Sequence, residues 1–286
     1  MTAGDPGPAA GRFGDLSRRV VSAAALLLLG AIEIWLGGPS FLLLVTLVSA
    51  LMIWELGRMT LPPGPWAVLV AVIAALALLI DEGLPEVCGW LAGASGDAGA
   101  CAPVVPAWWV MPPVALIFLM KARLHPVVSA LMALAILTSG HGLFVLRDEE
   151  GRAAVVWLLG VVIVSDVAGY FVGRTLGGPK FWPAISPKKT WSGTIAGWIG
   201  AALLGLAFKL AGQGGWALVI LSPFVAFAGQ MGDIAESWIK RRAGVKDSSN
   251  LIPGHGGVMD RFDALTGAMV VTMILAWAFD IPVGGG

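Results

Sequence analysis

Apolar residues fall into nine runs along the chain, each bounded by Gly, Pro or charged residues. Several runs are shorter than the ~20 residues that a helix needs to cross a bilayer upright, so we expect them to extend into flanking residues or to be re-entrant. The pattern predicts an all-α fold, a polytopic transmembrane helical bundle of about nine spans. The runs are 20–36, 41–54, 66–80, 108–119, 127–145, 155–172, 194–210, 216–230 and 265–279.

The composition excludes an ordinary water-soluble protein. Hydrophobic residues make up 57% of the chain and charged residues only 13%, whereas a soluble domain is about 25% charged. The mean hydropathy is +0.85. The 13 Trp against a single Tyr also fit a membrane protein, because Trp favours the interface between lipid and water. Lipid is therefore the predicted solvent for most of the surface.

The N-terminal residues divide into a tail and a first membrane helix. Residues 1–17 are rich in Gly, Pro and Ala without apolar periodicity, which predicts a disordered cytoplasmic tail. Arg18 and Arg19 then precede an apolar run, as in a signal peptide. Glu33 lies near the end of that run, however, and no A-x-A-like cleavage site follows it. We expect a retained helix, and a single transmembrane catalytic domain over 18–286.

Basic residues are distributed unequally between the two sides of a nine-span bundle. With the N-terminus in the cytoplasm, all but three of the 18 Lys and Arg residues lie on the cytoplasmic side, and the exceptions are Arg147, Arg152 and Lys209. The positive-inside rule therefore predicts this orientation. The longest loop on the opposite side, 81–107, holds Cys88 and Cys101, which form either a disulfide or two separate thiols.

The candidate chemistry lies in a polar cytoplasmic segment, 229–265. Asp233, Ser237 and Lys240 are spaced i, i+4 and i+7, so they share one face of a helix, and Glu236 borders that face. A carboxylate, a hydroxyl and an ammonium in line can hold a metal ion and a phosphate together. Taken alone, the same spacing is more typical of a solvated face with ordinary ion pairs.

A glycine-rich turn in the same segment makes a ligand site the better interpretation. Residues 253–257 read Pro-Gly-His-Gly-Gly, and their three glycines allow close approach of the backbone to a ligand. Successive N–H groups in such a turn can form an anion-binding nest. Asp260 and Asp263 follow at the start of the last helix, where carboxylates suit a hard cation that bridges phosphates.

A second cytoplasmic segment, 165–194, is predicted to line the same site. Lys188 and Lys189 precede the seventh span and can bind either a triphosphate or a lipid phosphate, although lysines that flank a span are also common for topological reasons alone. Asp166 and Arg174, on the sixth span, are candidates to line the same cleft. Ionisable residues in a membrane helix are functional candidates by default.

These residues resemble the signature of the phosphatidate cytidylyltransferases, also called CDP-diacylglycerol synthases. The similarity covers Ser237-Trp-Ile-Lys240-Arg241, then Lys246-Asp247, then Pro253-Gly-His255-Gly256-Gly257-Val-Met-Asp260-Arg261-Phe-Asp263. A second block of the family is visible in Ser165-Asp166, Tyr170, Gly173-Arg174 and Ser186-Pro187-Lys188-Lys189-Thr190. One position departs from the family: Ser192 stands where a Glu is common. The resemblance is strong over about 165–265 and topological before that.

The resemblance implies that CTP and phosphatidate react to give CDP-diacylglycerol and diphosphate at the cytoplasmic face of the inner membrane, with Mg²⁺ as cofactor. A second cation such as K⁺ and a homodimer stay open, and no nucleic-acid partner is expected. The rival hypotheses are another membrane lipid phosphotransferase or kinase, or a transporter. The predicted catalytic residues are Asp233, Lys240, Asp260 and Asp263, with Asp233 and Asp260 as metal ligands. The predicted substrate-binding residues are Ser186, Lys188, Lys189, Ser237, Arg241, Lys246, His255, Gly256, Gly257 and Arg261.

Overall fold

Helices make up almost all of the regular structure. The computed structural model describes residues 8–80 and 107–279, and within these ranges it contains nine helices and one two-stranded hairpin. The elements are α1 (Pro8–Leu36), α2 (Gly38–Thr60), α3 (Trp66–Leu78), α4 (Ala107–Lys121), α5 (Pro126–Glu149), α6 (Gly151–Thr175), β1 (Lys180–Trp182), β2 (Ser186–Thr190), α7 (Trp191–Leu210), α8 (Trp216–Arg242) and α9 (Met259–Phe279).

The predicted all-α membrane bundle is confirmed in outline. Within the described residues, α2 and α5 to α9 are long and apolar enough to cross a membrane, and three shorter apolar helices span Val20–Leu36, Trp66–Leu78 and Met111–Lys121. The count of nine spans stays a prediction. Cys88 and Cys101, and with them the disulfide alternative, lie outside the described residues.

Two local features differ from the sequence-based expectation. The first helix begins at Pro8, so residues 8–17 are helical rather than disordered. Proline is favoured at the first helical position, and the helix then continues into the apolar run. The antiparallel hairpin of β1 and β2, which pairs Lys180 with Thr190 and Trp182 with Ser186, was not predicted. Thr190 ends this hairpin and caps α7 by accepting a hydrogen bond from the N–H of Gly193 at 3.3 Å.

The buried side chains form two large clusters. One is built mainly from α2 to α5, includes Leu56 and Phe118, and takes in Ile239 of α8 and Met259 of α9. The other lies among α5 to α9 and includes Trp157 and Met269. The indole of Trp157 is fully buried and donates to the hydroxyl of Ser222 at 3.0 Å, so α6 and α8 are joined by a satisfied polar contact.

Glycines allow α8 and α9 to approach closely. A Cβ added at Gly232 on α8 would overlap with the carbonyl oxygen of Asp263, and one added at Gly267 on α9 would overlap with that of Ala228. Small residues at helix contacts in membranes permit this proximity. The approach matters for function because it sets Asp233, beside Gly232, close to the first turns of α9.

Contacts between helix termini define two ends of the bundle. At one end, Arg147 of α5 donates to the carbonyl of Ile34 in α1 at 2.7 Å. At the other end, the N–H of Arg123 donates to the carbonyl of Thr60 at 2.8 Å, and Arg242 approaches His125 at 3.3 Å. The segment between α8 and α9 lies at this second end, which we call the site end.

Candidate active site

The C-terminal half of α8, the first turns of α9 and the hairpin meet at the site end. Lys189 of β2 forms an ion pair with Asp233 of α8. Ser237, one turn further along α8, donates to the other oxygen of Asp233 at 3.4 Å. The predicted spacing of Asp233 and Ser237 is thus realised. Of the two predicted lysines, Lys188 and Lys189, it is Lys189 that contacts Asp233.

Three carboxylates converge next to this ion pair. Asp233, Glu236 and Asp263 each place an oxygen within 4.8 Å of the other two. Asp166 of α6 lies within electrostatic range of both Asp233 and Asp263. Unbalanced carboxylates repel one another strongly where water is scarce. The group therefore requires cations, and Lys189 and Lys240 supply only part of the balancing charge.

Glu236 is the most deeply placed member of this group. Its side chain is fully buried, and neither of its oxygens has a hydrogen bond. Oε2 lies 2.7 Å from the ammonium of Lys240, a close ion contact whose geometry is not that of a hydrogen bond. Buried polar atoms in native proteins nearly always have partners. Carboxylates are the ligands that Mg²⁺ and Ca²⁺ prefer, so the donor set fits a hard cation.

Lys240 connects the carboxylate group to Asp260. Its ammonium lies 2.6 Å from Oδ1 of Asp260 as well as 2.7 Å from Glu236. Asp260 and Asp263, which the i, i+3 spacing predicts to point the same way, have different neighbours. Asp263 joins Asp233 and Glu236, whereas Asp260 faces Lys240 and the preceding loop.

Asp260 occupies the anion cradle that the sequence predicts for a substrate phosphate. Its Oδ2 accepts hydrogen bonds from the N–H of Gly257 at 2.7 Å and from the N–H of Ser248 at 3.0 Å, and it lies 3.1 Å from the Ser248 hydroxyl. A Cβ at Gly256, whose φ is +84°, would lie 2.6 Å from the same oxygen. The glycines therefore let the backbone close around a carboxylate of the protein itself.

The rest of the glycine turn is held by contacts to α1 and α9. Nδ1 of His255 and the hydroxyl of Ser22 in α1 share a hydrogen bond of 2.9 Å. Arg261 donates twice to the carbonyl of His255, at 3.0 and 2.7 Å. Both contacts fix the shape of the turn, and the guanidinium of Arg261 is still exposed at the site end.

Other predicted substrate-binding residues make no described contact with the three carboxylates. Lys188, Arg241 and Lys246 are exposed, and Arg241 donates to the carbonyl of Val245 at 3.4 Å. Lys188 and Lys189 face opposite sides of β2, as adjacent residues in a strand must. Ser186 is half-buried at the start of the same strand. Lys188, Arg241 and Lys246 therefore offer exposed positive charge outside the carboxylate group.

Ser192 lies beside the α7 cap rather than in the cluster. Its hydroxyl donates to the carbonyl of Gly177 at 2.5 Å and lies 3.1 Å from the hydroxyl of Thr190. The residue that stands in the place of a common Glu thus ties the start of α7 to the turn before the hairpin.

Sequence reasoning missed two residues that organise the site. Glu55 of α2 accepts hydrogen bonds from Ser248, among other donors, and Ser248 also contacts Asp260. The only sequence signal for Glu55 is an acidic residue directly after the apolar run 41–54, and an ionisable residue at a membrane helix is a functional candidate by default. Nothing in the local pattern of Ser248 distinguishes it from an ordinary loop serine.

Comparisons with known proteins agree with the signature. The model of the cytidylyltransferase family matches residues 17–279. The phosphatidate cytidylyltransferase of Brucella suis biovar 1 is 34% identical over 282 residues, which cover 94% of this chain and 96% of that protein. The protein of the same name from Bacillus subtilis is 41% identical over 120 residues, 41% of this chain and 45% of its own. That from Helicobacter pylori strain J99 is 42% identical over 137 residues, 46% of this chain and 51% of its own. The chain therefore belongs to the cytidylyltransferase family.

Proposed function

We propose that this protein transfers the cytidylyl group of CTP to phosphatidate, giving CDP-diacylglycerol and diphosphate at the cytoplasmic face of the inner membrane. Family membership over almost the whole chain and the names of its relatives support this reaction. The observation that carries it is the group of Asp233, Glu236 and Asp263 beside Lys189 and Lys240. A site for polyphosphate chemistry needs this combination of cation ligands and fixed cations.

The reaction is a displacement at phosphorus. An oxygen of the phosphatidate phosphate attacks the α-phosphorus of CTP, the bond from that phosphorus to the bridging oxygen of the β-phosphate breaks, and diphosphate leaves with the electron pair. A phosphate dianion is already a nucleophile, so no dedicated general base is required. The task of the protein is to bring two polyanions together, and the charges of Lys189, Lys240 and Arg261 lower their mutual repulsion.

Asp233, Glu236 and Asp263 are the residues that would hold Mg²⁺. The buried oxygens of Glu236, which make no hydrogen bond, and the proximity of three carboxylates fit this ion. When bound, Mg²⁺ neutralises phosphate oxygens and orients them for in-line displacement. Asp260, which was predicted as a ligand from the sequence, adjoins this set through Lys240. It holds Lys240 and the glycine turn in position.

The membrane setting follows from the substrates. The acyl chains of phosphatidate stay in lipid, whereas CTP is dissolved in the cytosol, so the site end must face the cytoplasm. The basic side chains Lys189, Arg241, Lys246 and Arg261 lie at this end, as the positive-inside rule requires for a cytoplasmic surface. In this arrangement the nine helices are nine spans with the N-terminus inside, and residues 18–286 act as one catalytic domain.

The purified protein is expected to place the α-phosphorus of CTP into lipid. We would incubate it with phosphatidate, Mg²⁺ and CTP labelled at either the α- or the γ-phosphorus. The proposed reaction incorporates α-label into CDP-diacylglycerol and releases γ-label as diphosphate, and excess EDTA stops it. A lipid kinase would instead transfer the γ-label to lipid. Incorporation of γ-label, or of neither label, contradicts the proposal.

Exposed cysteines on either side of α8 are expected to label from opposite sides of the membrane. Gln213 and Asn250 are exposed, and α8, with 27 residues, separates them by about 40 Å at 1.5 Å per residue. In a background without Cys88 and Cys101, Gln213→Cys should react with an impermeant maleimide in intact cells. Asn250→Cys should react only after the membrane is opened. Labelling of both from one side would contradict the orientation.

A further inference from the structure

Glu55 is a buried acidic residue on α2, outside the two segments that supply the predicted active-site residues. Its side chain has 0% exposure, as does that of Leu56 beside it. A carboxylate in such surroundings is costly to bury unless donors satisfy its oxygens. The hydrogen bonds of Glu55 therefore show which groups offset the cost of burying its carboxylate.

Each oxygen of Glu55 accepts two hydrogen bonds, from donors in the loop between α8 and α9 or at the first residue of α9. Oε1 accepts from the hydroxyl of Ser249 at 2.5 Å and from the N–H of Val258 at 2.9 Å. Oε2 accepts from the hydroxyl of Ser248 at 2.9 Å and from the N–H of Met259 at 2.6 Å. Four donors match the full accepting capacity of an ionised carboxylate.

These donors come from the two ends of the segment Ser248–Met259. Ser248 and Ser249 begin this segment, while Val258 precedes α9 and Met259 is its first residue, where N–H groups have no partner within the helix. The positive end of the helix dipole favours a negative charge at this position. Glu55 thus caps α9 from a different helix and, through the same carboxylate, draws the start of the loop against its end.

A short chain of contacts links Glu55 to the cations of the site. The hydroxyl of Ser248 lies between Glu55 and Asp260, 2.9 Å from Oε2 of the one and 3.1 Å from Oδ2 of the other. Asp260 in turn contacts the ammonium of Lys240 at 2.6 Å. A Cβ at Gly257 would overlap with both the Ser248 hydroxyl and the Glu55 carboxylate, so the glycine leaves room for this arrangement.

We propose that Glu55 is a positioning residue for cytidylyl transfer, which holds the loop from Ser248 to Met259 so that Asp260 orients Lys240 toward the phosphates. The proposal rests on the proposed function of the site. Because Glu55 is fully buried, it acts through Ser248 and Asp260 and does not touch a substrate. Its loss should lower turnover more than substrate binding.

The test is Glu55→Gln, which keeps the shape but turns an NH₂ donor toward groups that are themselves donors. We expect kcat to fall about 10- to 100-fold, the usual range for loss of an outer partner of active-site ligands, with KM for phosphatidate nearly unchanged. Hydrogen exchange should rise in peptides covering 246–262, where the N–H bonds of Val258 and Met259 are weakened, and nowhere else. Glu55→Asp should recover part of kcat.

Glu33→Gln is the matched control, because it makes the same substitution in a membrane helix at the opposite end of the bundle. Glu33 lies next to Ile34, whose carbonyl accepts a hydrogen bond from Arg147. This variant should leave kcat and exchange in 246–262 at wild-type values. Wild-type kcat for Glu55→Gln overturns the proposal. So does a fall in kcat accompanied by raised exchange throughout the protein, which means general destabilisation. If the wild type forms no CDP-diacylglycerol, the proposed function fails, and exchange in 246–262 still decides whether Glu55 holds the loop.

Discussion

Asp263→Asn is expected to lower CDP-diacylglycerol formation by about 100- to 1000-fold, the range seen when one group that stabilises transition-state charge is removed. The carboxylate of Asp263 lies within 4.8 Å of those of Asp233 and Glu236. An amide keeps the shape of the side chain but lacks the charge that a hard cation requires. Initial rates at several Mg²⁺ concentrations measure the effect, and the half-saturating concentration should rise as well.

Thermal unfolding in detergent separates a cation site from a merely structural acid. In EDTA, Asp263→Asn should melt no lower than the wild type, because the change removes one of several like charges that repel each other. Mg²⁺ should then raise the melting temperature of the wild type more than that of the variant, since a ligand stabilises the state that binds it.

Asp148→Asn is the control for this substitution. Asp148 is exposed near the end of α5, at the end of the bundle opposite the site end, and its replacement should change neither the rate nor the response to Mg²⁺. If Asp263→Asn keeps wild-type activity and the full thermal response to Mg²⁺, the cation is held elsewhere, and Asp263 is only a neighbour of the site.

The helices could be predicted because the apolar runs that form them are visible in the local sequence. The apolar runs over 127–145 and 155–172 lie within α5 and α6, since a helix in lipid must satisfy its backbone within its own segment. The β1–β2 hairpin lacks such a signal. Its strands have three and five residues, too short for a period of two to be visible. The helical start at Pro8 was missed because Gly and Pro content favoured a tail.

The site could be predicted where its geometry is fixed within one element. The i, i+4 relation between Asp233 and Ser237 is a property of the α-helix, and the structure places their side chains 3.4 Å apart. Glu55 could not be assigned in the same way, because its partner Ser248 is 193 residues away along the chain. Such a contact depends on how α2 packs beside α9, which no local pattern encodes.

The divergence of Asp260 and Asp263 has the same origin. Their i, i+3 spacing predicts a shared direction, but Asp260 lies in the first turn of α9, where the preceding loop offers free N–H groups. The N–H of Gly257 captures its carboxylate at 2.7 Å. Asp263, one turn further along, is beyond the loop and faces α8 across the glycine contact at Gly232.

Lys240→Met is expected to destabilise the folded protein by about 3–5 kcal/mol, the usual effect of removing one partner from a buried ion pair. The ammonium of Lys240 lies 2.7 Å from Glu236 and 2.6 Å from Asp260, and the Lys240 side chain is only 11% exposed. Methionine fills a similar volume but leaves two carboxylates close together without a cation. Denaturant titration of the protein in detergent measures the change in the free energy of unfolding.

A second substitution tests whether charge is the cause. Glu236→Gln added to Lys240→Met removes one of the uncompensated carboxylates, so the double variant should regain much of the lost stability. Its turnover should stay low, because Lys240 is also one of the fixed cations of the site, and without it the charge of the reacting phosphates is less well offset. Lys209→Met serves as the control, because Lys209 lies near the C-terminal end of α7, away from the site end. It should alter neither the free energy of unfolding nor turnover.

If Lys240→Met alone is as stable as the wild type, Lys240 does not balance these charges. Recovery of wild-type turnover in the double variant would show that the ammonium serves the fold and not the reaction.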